Sequence, residues 1–292
     1  MVMATGATAV AQRPASRITG GATEPLFQAN ILGKYPTDYH RCVETGFVQT
    51  DDPTWLEEAY QSAITALDIG LLQRNFRNVQ RTCQVIHKLN LSPATCIDFA
   101  GGYGIFTRLM RDQGHDFYWT DPHCENLFAK SFELIDAPAP HETSDPPFAL
   151  VTAWEVFEHV VEPSQLLDEL FSLSHRVLFS TELLPATKTF ASADQWWYFA
   201  PELGQHVSFY TVKSLQTLAE KHAANFYSDG RRIHYMTKCH DDRPPLSPHG
   251  SLRSRCLRLV NRIRHRGSPK SLQPTDYDKL KQRLVGSQRS NG

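Results

Sequence analysis

Two aspartates and a run of small residues between them carry the clearest chemical signal in this 292-residue chain. The stretch Thr95-Cys96-Ile97-Asp98-Phe99 is largely apolar, carries an acid near its end and breaks into Ala100-Gly101-Gly102-Tyr103-Gly104. Ile105, Phe106, Leu109 and Met110 then fall on one helical side, so the segment reads strand, glycine-rich turn, helix. A second strand-like run, Asp116 to Thr120, ends in Asp121. Glycines let such a turn approach a ligand closely, and free N–H groups at the helix start attract an anionic group. An acid closing the second strand can accept both hydroxyls of a ribose. Together these residues describe a site for a nucleoside-containing cofactor. A dinucleotide fingerprint would need a further glycine at position 107, which is Thr107, so a dinucleotide is disfavoured.

Asp98-x-Ala100-x-Gly102-x-Gly104 resembles motif I of the class I S-adenosylmethionine-dependent methyltransferases, with Ala100 in place of the first glycine. Phe148 to His159, ending Trp154-Glu155-Val156-Phe157-Glu158-His159, is similar to the family's fourth strand and the turn after it. His175 to Glu182 resembles the fifth strand. Gly204 to Thr211, containing His206, is similar to the entry of the last helix in the ubiquinone-type and sugar-type members. The resemblance covers roughly Phe27 to Lys238. It implies an α/β, Rossmann-like fold with a mostly parallel seven-stranded sheet and an antiparallel closing hairpin. It also implies S-adenosyl-L-methionine as the cofactor, bound by Asp98, Ala100, Gly101, Gly102, Gly104, Asp121 and Trp154. The glycine turn would hold the methionyl end, Asp98 its amine and Asp121 the ribose. Ala100 adds one methyl group and is expected to narrow the turn without abolishing binding.

Methyl transfer from a sulfonium is an in-line displacement with an already activated leaving group. The protein must position the acceptor and, for an oxygen or carbon acceptor, remove a proton. His159, four residues after Glu155, and His206 are the candidate bases; a helical turn would set Glu155 and His159 on one side. Each histidine also has a structural reading, in which it ties its own turn by hydrogen bonds.

The elements that must position these residues divide the chain into four expected segments. Residues 1–23 read as a disordered N-terminus, and 24–52 as a degenerate ribbon-like segment. Residues 53–240 read as the methyltransferase domain with N-terminal capping helices, and 241–292 as a Pro-rich linker and basic tail. In sugar C-methyltransferases the corresponding ribbon resembles a zinc module with two cysteine pairs; here only Cys42 and His40 are at hand, too few for structural zinc. No metal is therefore assigned to the chain. Tyr60 and Arg74 either reach the substrate pocket that such capping helices shape or serve as surface and packing residues. The aromatic run Trp196 to Phe199 reads either as a hydrophobic plug or as a substrate-facing wall.

Bulk properties narrow the class further. A hydrophobic content of 41% suffices for a packed core, and no apolar run reaches the roughly 20 residues of a membrane span. Residues 241–292 hold twelve Lys or Arg against four Asp, which leaves eighteen basic and twenty-seven acidic residues elsewhere. Such an acidic body disfavours a nucleic-acid substrate laid across it. The six cysteines are scattered without paired spacing, which predicts reduced thiols and a cytoplasmic setting. The leading expectation is a methyltransferase for a small-molecule acceptor, either a sugar or glycoconjugate or an aromatic or quinone-like compound. One alternative is a nucleic-acid or membrane-surface methyltransferase, with peripheral membrane contact through an Arg-rich helix over Leu252 to Arg266. A second is a non-catalytic methyltransferase-like binding protein. Nothing in the sequence specifies an oligomeric state.

Overall fold

The chain is described here from a computed structural model that covers residues 13–60, 68–138, 145–185, 188–241, 245–246, 278, 281–282 and 286. Strands β1 (Thr23–Ile31) and β2 (Tyr35–Cys42) form an antiparallel hairpin, and β3 (Val48–Thr50) pairs with β2. Helices α1 (Leu56–Ala59) and α2 (Leu71–Leu89) follow. Strand and helix then alternate: β4 (Thr95–Phe99), α3 (Ile105–Asp112), β5 (Asp116–Thr120), β6 (Leu150–Trp154), α4 (Pro163–Leu173) and β7 (Arg176–Ser180). Strand β8 (Ser208–Phe209), helix α5 (Val212–Lys221) and the hairpin β9 (Asn225–Ser228) and β10 (Ile233–Thr237) complete the fold.

The central sheet has the order β5-β4-β6-β7-β10-β9. β5, β4, β6 and β7 are mutually parallel, and β10 runs antiparallel to both β7 and β9. The expected parallel sheet and antiparallel closing hairpin are thus present. β4, β6 and β7 are almost wholly buried, as strands covered on both faces must be, which explains their continuous apolar runs. Register sets the site: Asp98 lies beside both Trp119 and Thr152, and Trp154 beside Ser180. The carboxyl ends of four strands therefore finish at one level.

Among the described residues the sheet has six strands where seven were expected. In place of the missing edge strand stands one parallel bridge, Trp119 to Glu133, followed by a 3-10 turn at Leu134–Asp136. The intervening loop is folded on Asn126, whose amide donates to Ala129 O and Glu133 Oε1 at 2.7 Å each. Pro138 follows, and proline cannot donate to a ladder.

The N-terminal expectation also needs correction. Residues 13–22 are not disordered: Ser16 and Gly21 close a turn at 2.9 Å, and Ile18 is buried in the main core. Arg17 N donates to Gln49 Oε1 at 2.8 Å. The same expectation for residues 1–12 lies outside the described residues. Nor is 24–52 a separate segment. Its three strands are joined by β8, giving a second sheet in the order β1-β2-β3-β8. Phe199 packs against Phe27, Tyr39 and Phe209 with ring centroids 5.0, 5.5 and 4.8 Å away, so the aromatic run is a plug between this sheet and the body. Trp197 alone of that run stays exposed, at 54%. Within this sheet Cys42 Sγ lies 3.6 Å from Thr19 Oγ1, and His40 pairs with Asp51 at 2.6 Å.

The expected boundary at 240/241 is crossed by contacts. Asp241 accepts hydrogen bonds from Tyr235 Oη at 2.7 Å and Arg176 at 3.1 Å, and Leu246 is buried. The proposed basic helix at Leu252 to Arg266 lies outside the described residues. Among the described residues no helix is long and apolar enough to cross a membrane.

Candidate active site

The glycine turn is built from the end of β4 outward. Asp98 is fully buried, and its Oδ1 accepts a hydrogen bond from Thr152 Oγ1 on β6 at 2.6 Å. Burial pushes its carboxyl up to about 8, against the Thr152 hydrogen bond, and the neighbouring Asp121 charge adds to the rise. Ala100, Gly102 and Gly104 all have left-handed backbones, with φ of 53°, 55° and 80°. The cost of alanine at position 100 is therefore backbone strain, about 1–2 kcal/mol, rather than the narrowing expected from its methyl group. A Cβ on Gly101 would lie 2.5 Å from Trp119 Cδ1 and 2.7 Å from Asp98 Oδ2, so no side chain fits there. A Cβ on Gly102 would meet nothing within 4 Å. The turn is closed against the protein at Gly101 and open at Gly102.

Asp121, the residue after β5, holds this turn directly. Its Oδ2 accepts from Gly102 N at 2.9 Å, and its Oδ1 accepts from His123 N at 2.8 Å and Cys124 N at 2.9 Å. A carboxylate has about four acceptor positions, so capacity for a further hydroxyl lies mainly on Oδ2. Trp119 Nε1 donates to Gly102 O at 3.0 Å, pinning the turn from the other side. Trp154, at the end of β6, meets Phe106 edge to face at 5.5 Å. Its indole Nε1 is buried and has no partner among the described residues, an orphan donor beside the turn-bearing helix.

Beyond β6 the chain makes a second, acidic turn. Glu155 has a left-handed backbone, φ 56°, and Phe157–His159 form a 3-10 turn. The expected helical alignment of Glu155 with His159 is therefore absent. Glu155 instead turns to β7, where Ser180 Oγ donates to Oε1 at 2.5 Å, and Arg74 Nε stands 3.9 Å from Oε2. Burial raises its carboxyl, with Glu158 adding and Arg74 opposing. His159 turns the other way, its Nδ1 lying 3.1 Å from Gln205 O and 2.9 Å from Tyr60 Oη. Burial pushes this imidazole down to about 3, the neighbouring His206 adding to the effect. His206 Nδ1 is 2.7 Å from Tyr198 O, and the two imidazole rings meet edge to face at 4.9 Å.

The structure brings three further residues to the site. Tyr60 and Arg74 both reach it, the pocket-facing alternative for these residues: Arg74 lies on α2, and Tyr60 follows α1, which is tied to the His206 loop. Trp55 Nε1 donates to Gly204 O at 2.8 Å, and Gln205 Nε2 donates to Ala59 O at 2.9 Å. Glu158 is the third. It is fully buried, and neither carboxylate oxygen has a hydrogen-bond partner among the described residues. Its signal lies in the Glu155-x-x-Glu158-His159 run, where a second acid stands directly before the histidine.

A family model described as a methyltransferase domain matches residues 72–227, just over half of the chain. Similar solved structures include magnesium protoporphyrin IX methyltransferase (ChlM) from Synechocystis PCC 6803 with bound SAM. It is 13% identical over 64% of this chain and 93% of that one, with a TM-score of 0.36. An O-methyltransferase family 2 protein from Planctomyces limnophilus DSM 3776, complexed with apigenin, is 15% identical over 63% and 65%, with a TM-score of 0.44. OxaC with sinefungin and meleagrin is 18% identical at a TM-score of 0.36, and the chain spans only 42% of it. No curated protein sequence matches the chain.

Proposed function

The chain belongs to the methyltransferase-domain family, and from that premise we propose that it transfers a methyl group from S-adenosylmethionine to a small hydroxyl-bearing acceptor. The observation that carries this reading is the turn after β4, shut at Gly101 and open at Gly102, between the Asp98 and Asp121 carboxylates. The residues fit the cofactor. Gly102 leaves room for close approach, Asp98 offers a buried carboxyl to the methionyl ammonium, and Asp121 Oδ2 retains capacity for a ribose hydroxyl. The orphaned Trp154 indole supplies one more donor. When bound, the cofactor supplies the electrophilic methyl carbon.

Proton removal from the acceptor falls to the cluster of Glu158, His159 and His206, which lies past the end of β6, alongside the acidic turn at Glu155. Glu155 is held by Ser180 and Arg74, so we assign it a positioning role in that turn rather than a proton-accepting one. The acceptor is a sugar or a flat aromatic or quinone-like compound, as the family resemblance implies. The unpaired thiols of Cys42, Cys83, Cys96, Cys124 and Cys239 support a cytoplasmic setting. A metal-free relic of a ribbon remains our reading of the β1–β3 segment, because Cys42 and His40 are occupied by Thr19 and Asp51.

Calorimetric titration with S-adenosylmethionine and S-adenosylhomocysteine tests the reading. Both should bind wild type. Gly102→Ala, whose new methyl group clashes with no protein atom, should fold and lose at least tenfold in affinity. Unchanged affinity in that variant would mean that the cofactor does not lie against this turn. Tight binding without turnover on any sugar, phenol or quinol acceptor would favour the non-catalytic alternative.

A further inference from the structure

We propose that Arg77, Arg231 and Arg232, backed by Arg74, bind an anionic group of the acceptor, a carboxylate or a phosphate, so that the acceptor is a hydroxy acid or a sugar phosphate rather than a neutral compound. Naming the ligand as the acceptor rests on the methyl-transfer reading above, whereas the anion site itself does not.

The four guanidinium groups come from two elements that meet at the carboxyl end of the central sheet. Arg74 and Arg77 are three residues apart on α2 and share a face. Arg74 Nε stands 3.9 Å from Glu155 Oε2, which sets that face beside the end of β6. Arg231 and Arg232 lie in the turn between β9 and β10. Thr181 N donates to Arg232 O at 3.1 Å and Leu183 N to Arg231 O at 2.9 Å, so the turn is stitched to the chain leaving β7. In open α/β sheets the crevice outside such strand ends is where ligands bind.

Most of the donors in this cluster have no protein acceptor. A guanidinium carries five N–H groups. Arg231 and Arg232 each give only the Nε–H to Glu182, at 3.1 and 2.7 Å. Their terminal nitrogens have no acceptor among the described residues and are not buried. Arg77 is exposed and pairs with no carboxylate among the described residues. Paired terminal N–H groups match two oxygens of a carboxylate or a phosphate at once.

The surrounding carboxylates are engaged elsewhere. Glu182 is shared by Arg231 and Arg232, and Asp68 pairs with Arg74. Glu155 accepts from Ser180, and Asp229 Oδ1 accepts from the backbone N–H groups of Arg231, Arg232 and Ile233. Burial, and then the positive charges of Arg232, Arg74 and Arg231, hold the Arg77 guanidinium below its ordinary value, with Glu155 opposing. An anion seated among such crowded cations relieves their repulsion. The rest of the body is acidic and repels anions, so a local arginine cluster focuses them at one place. Glu155 lies in the same turn as Glu158 and His159, so an acceptor anchored at the arginines presents its hydroxyl to the proton-accepting cluster.

The test uses the full-length chain, with and without S-adenosylhomocysteine. It is titrated with inorganic phosphate and with two matched pairs, 3-hydroxybenzoate against phenol and glucose 6-phosphate against glucose. Phosphate should bind once per chain and more weakly as salt rises. In at least one pair the charged member should bind at least tenfold more tightly than the neutral one, and the pair that shows it tells carboxylate from phosphate. Arg77→Gln breaks no protein ion pair and should fold; it and Arg232→Gln should each reduce the preference at least fivefold. If Arg232→Gln fails to fold, Arg77→Gln still decides. No preference in either pair would overturn the proposal, as would a preference unchanged in Arg77→Gln. A tenfold loss of S-adenosylhomocysteine affinity in Arg77→Gln would also overturn it, because the cluster would then hold the cofactor's own carboxylate. S-adenosylhomocysteine binding without any anion preference would sink the anion site alone. Phosphate binding without S-adenosylhomocysteine binding would sink the cofactor reading alone.

Discussion

The buried carboxyl of Asp98 should make the protein's stability and its cofactor binding depend on pH in opposite directions. Asp98 is 1% exposed, and its carboxyl rises from the ordinary 3.8 to about 8. Because the folded value lies above the unfolded one, folding favours the protonated form. The stability from this group is fully present below about pH 4 and is lost as pH rises through about 8. A shift of about four units corresponds to on the order of 5 kcal/mol between those limits. That is a large part of the roughly 5–15 kcal/mol typical of a domain. Asp98→Asn keeps the shape of the neutral acid and can still accept from Thr152, but it cannot ionise. Urea unfolding from pH 5 to 9 should therefore show wild type losing several kcal/mol that the variant does not lose. The cofactor's ammonium favours the ionised carboxyl. At pH 7 a group with a pKa of about 8 is about nine-tenths protonated, so binding should release close to one proton per cofactor. Calorimetry in two buffers of different ionisation enthalpy measures this number, and affinity should strengthen toward pH 9. Parallel stability curves for wild type and Asp98→Asn would refute the burial argument. Binding without proton release would refute the placement of the ammonium at Asp98.

Two further outcomes follow from the fold. Ala100→Gly relieves a left-handed alanine costing about 1–2 kcal/mol and adds about 0.5–1 kcal/mol of backbone entropy, so it should stabilise by about 0.5–1 kcal/mol. A lower urea midpoint would contradict the strain reading. Asp241→Ala leaves Arg176 and Tyr235 without their shared acceptor and should cost about 2–4 kcal/mol. Truncation after His240 should lose at least as much in thermal unfolding. A truncated chain as stable as the full one would restore the boundary expected from the proline-rich sequence.

Local sequence determined the strands and the cofactor turn. The apolar run before Asp98 and the glycines after it specify strand, turn and helix within about fifteen residues, so no distant contact is needed to read them. The closing hairpin that the family resemblance implies is local too, since β9 and β10 pair across the short turn at Asp229-Gly230. Tertiary structure decided what local patterns do not encode. β8 pairs with β3 across about 160 residues of chain, and the aromatic run becomes a plug only because that sheet offers Phe27 and Tyr39 to cover it. Helical spacing put Glu155 and His159 on one side, but a left-handed residue at 155 turned their side chains apart. Glu158, His159 and His206 converge because the turn after β6 meets the loop before β8, while Tyr60 arrives from α1. Periodicity reports which face of an element is buried, whereas the meeting of side chains from three elements depends on how those elements pack. The cofactor side of the site was therefore written in one stretch of sequence, and the acceptor side existed only in the fold.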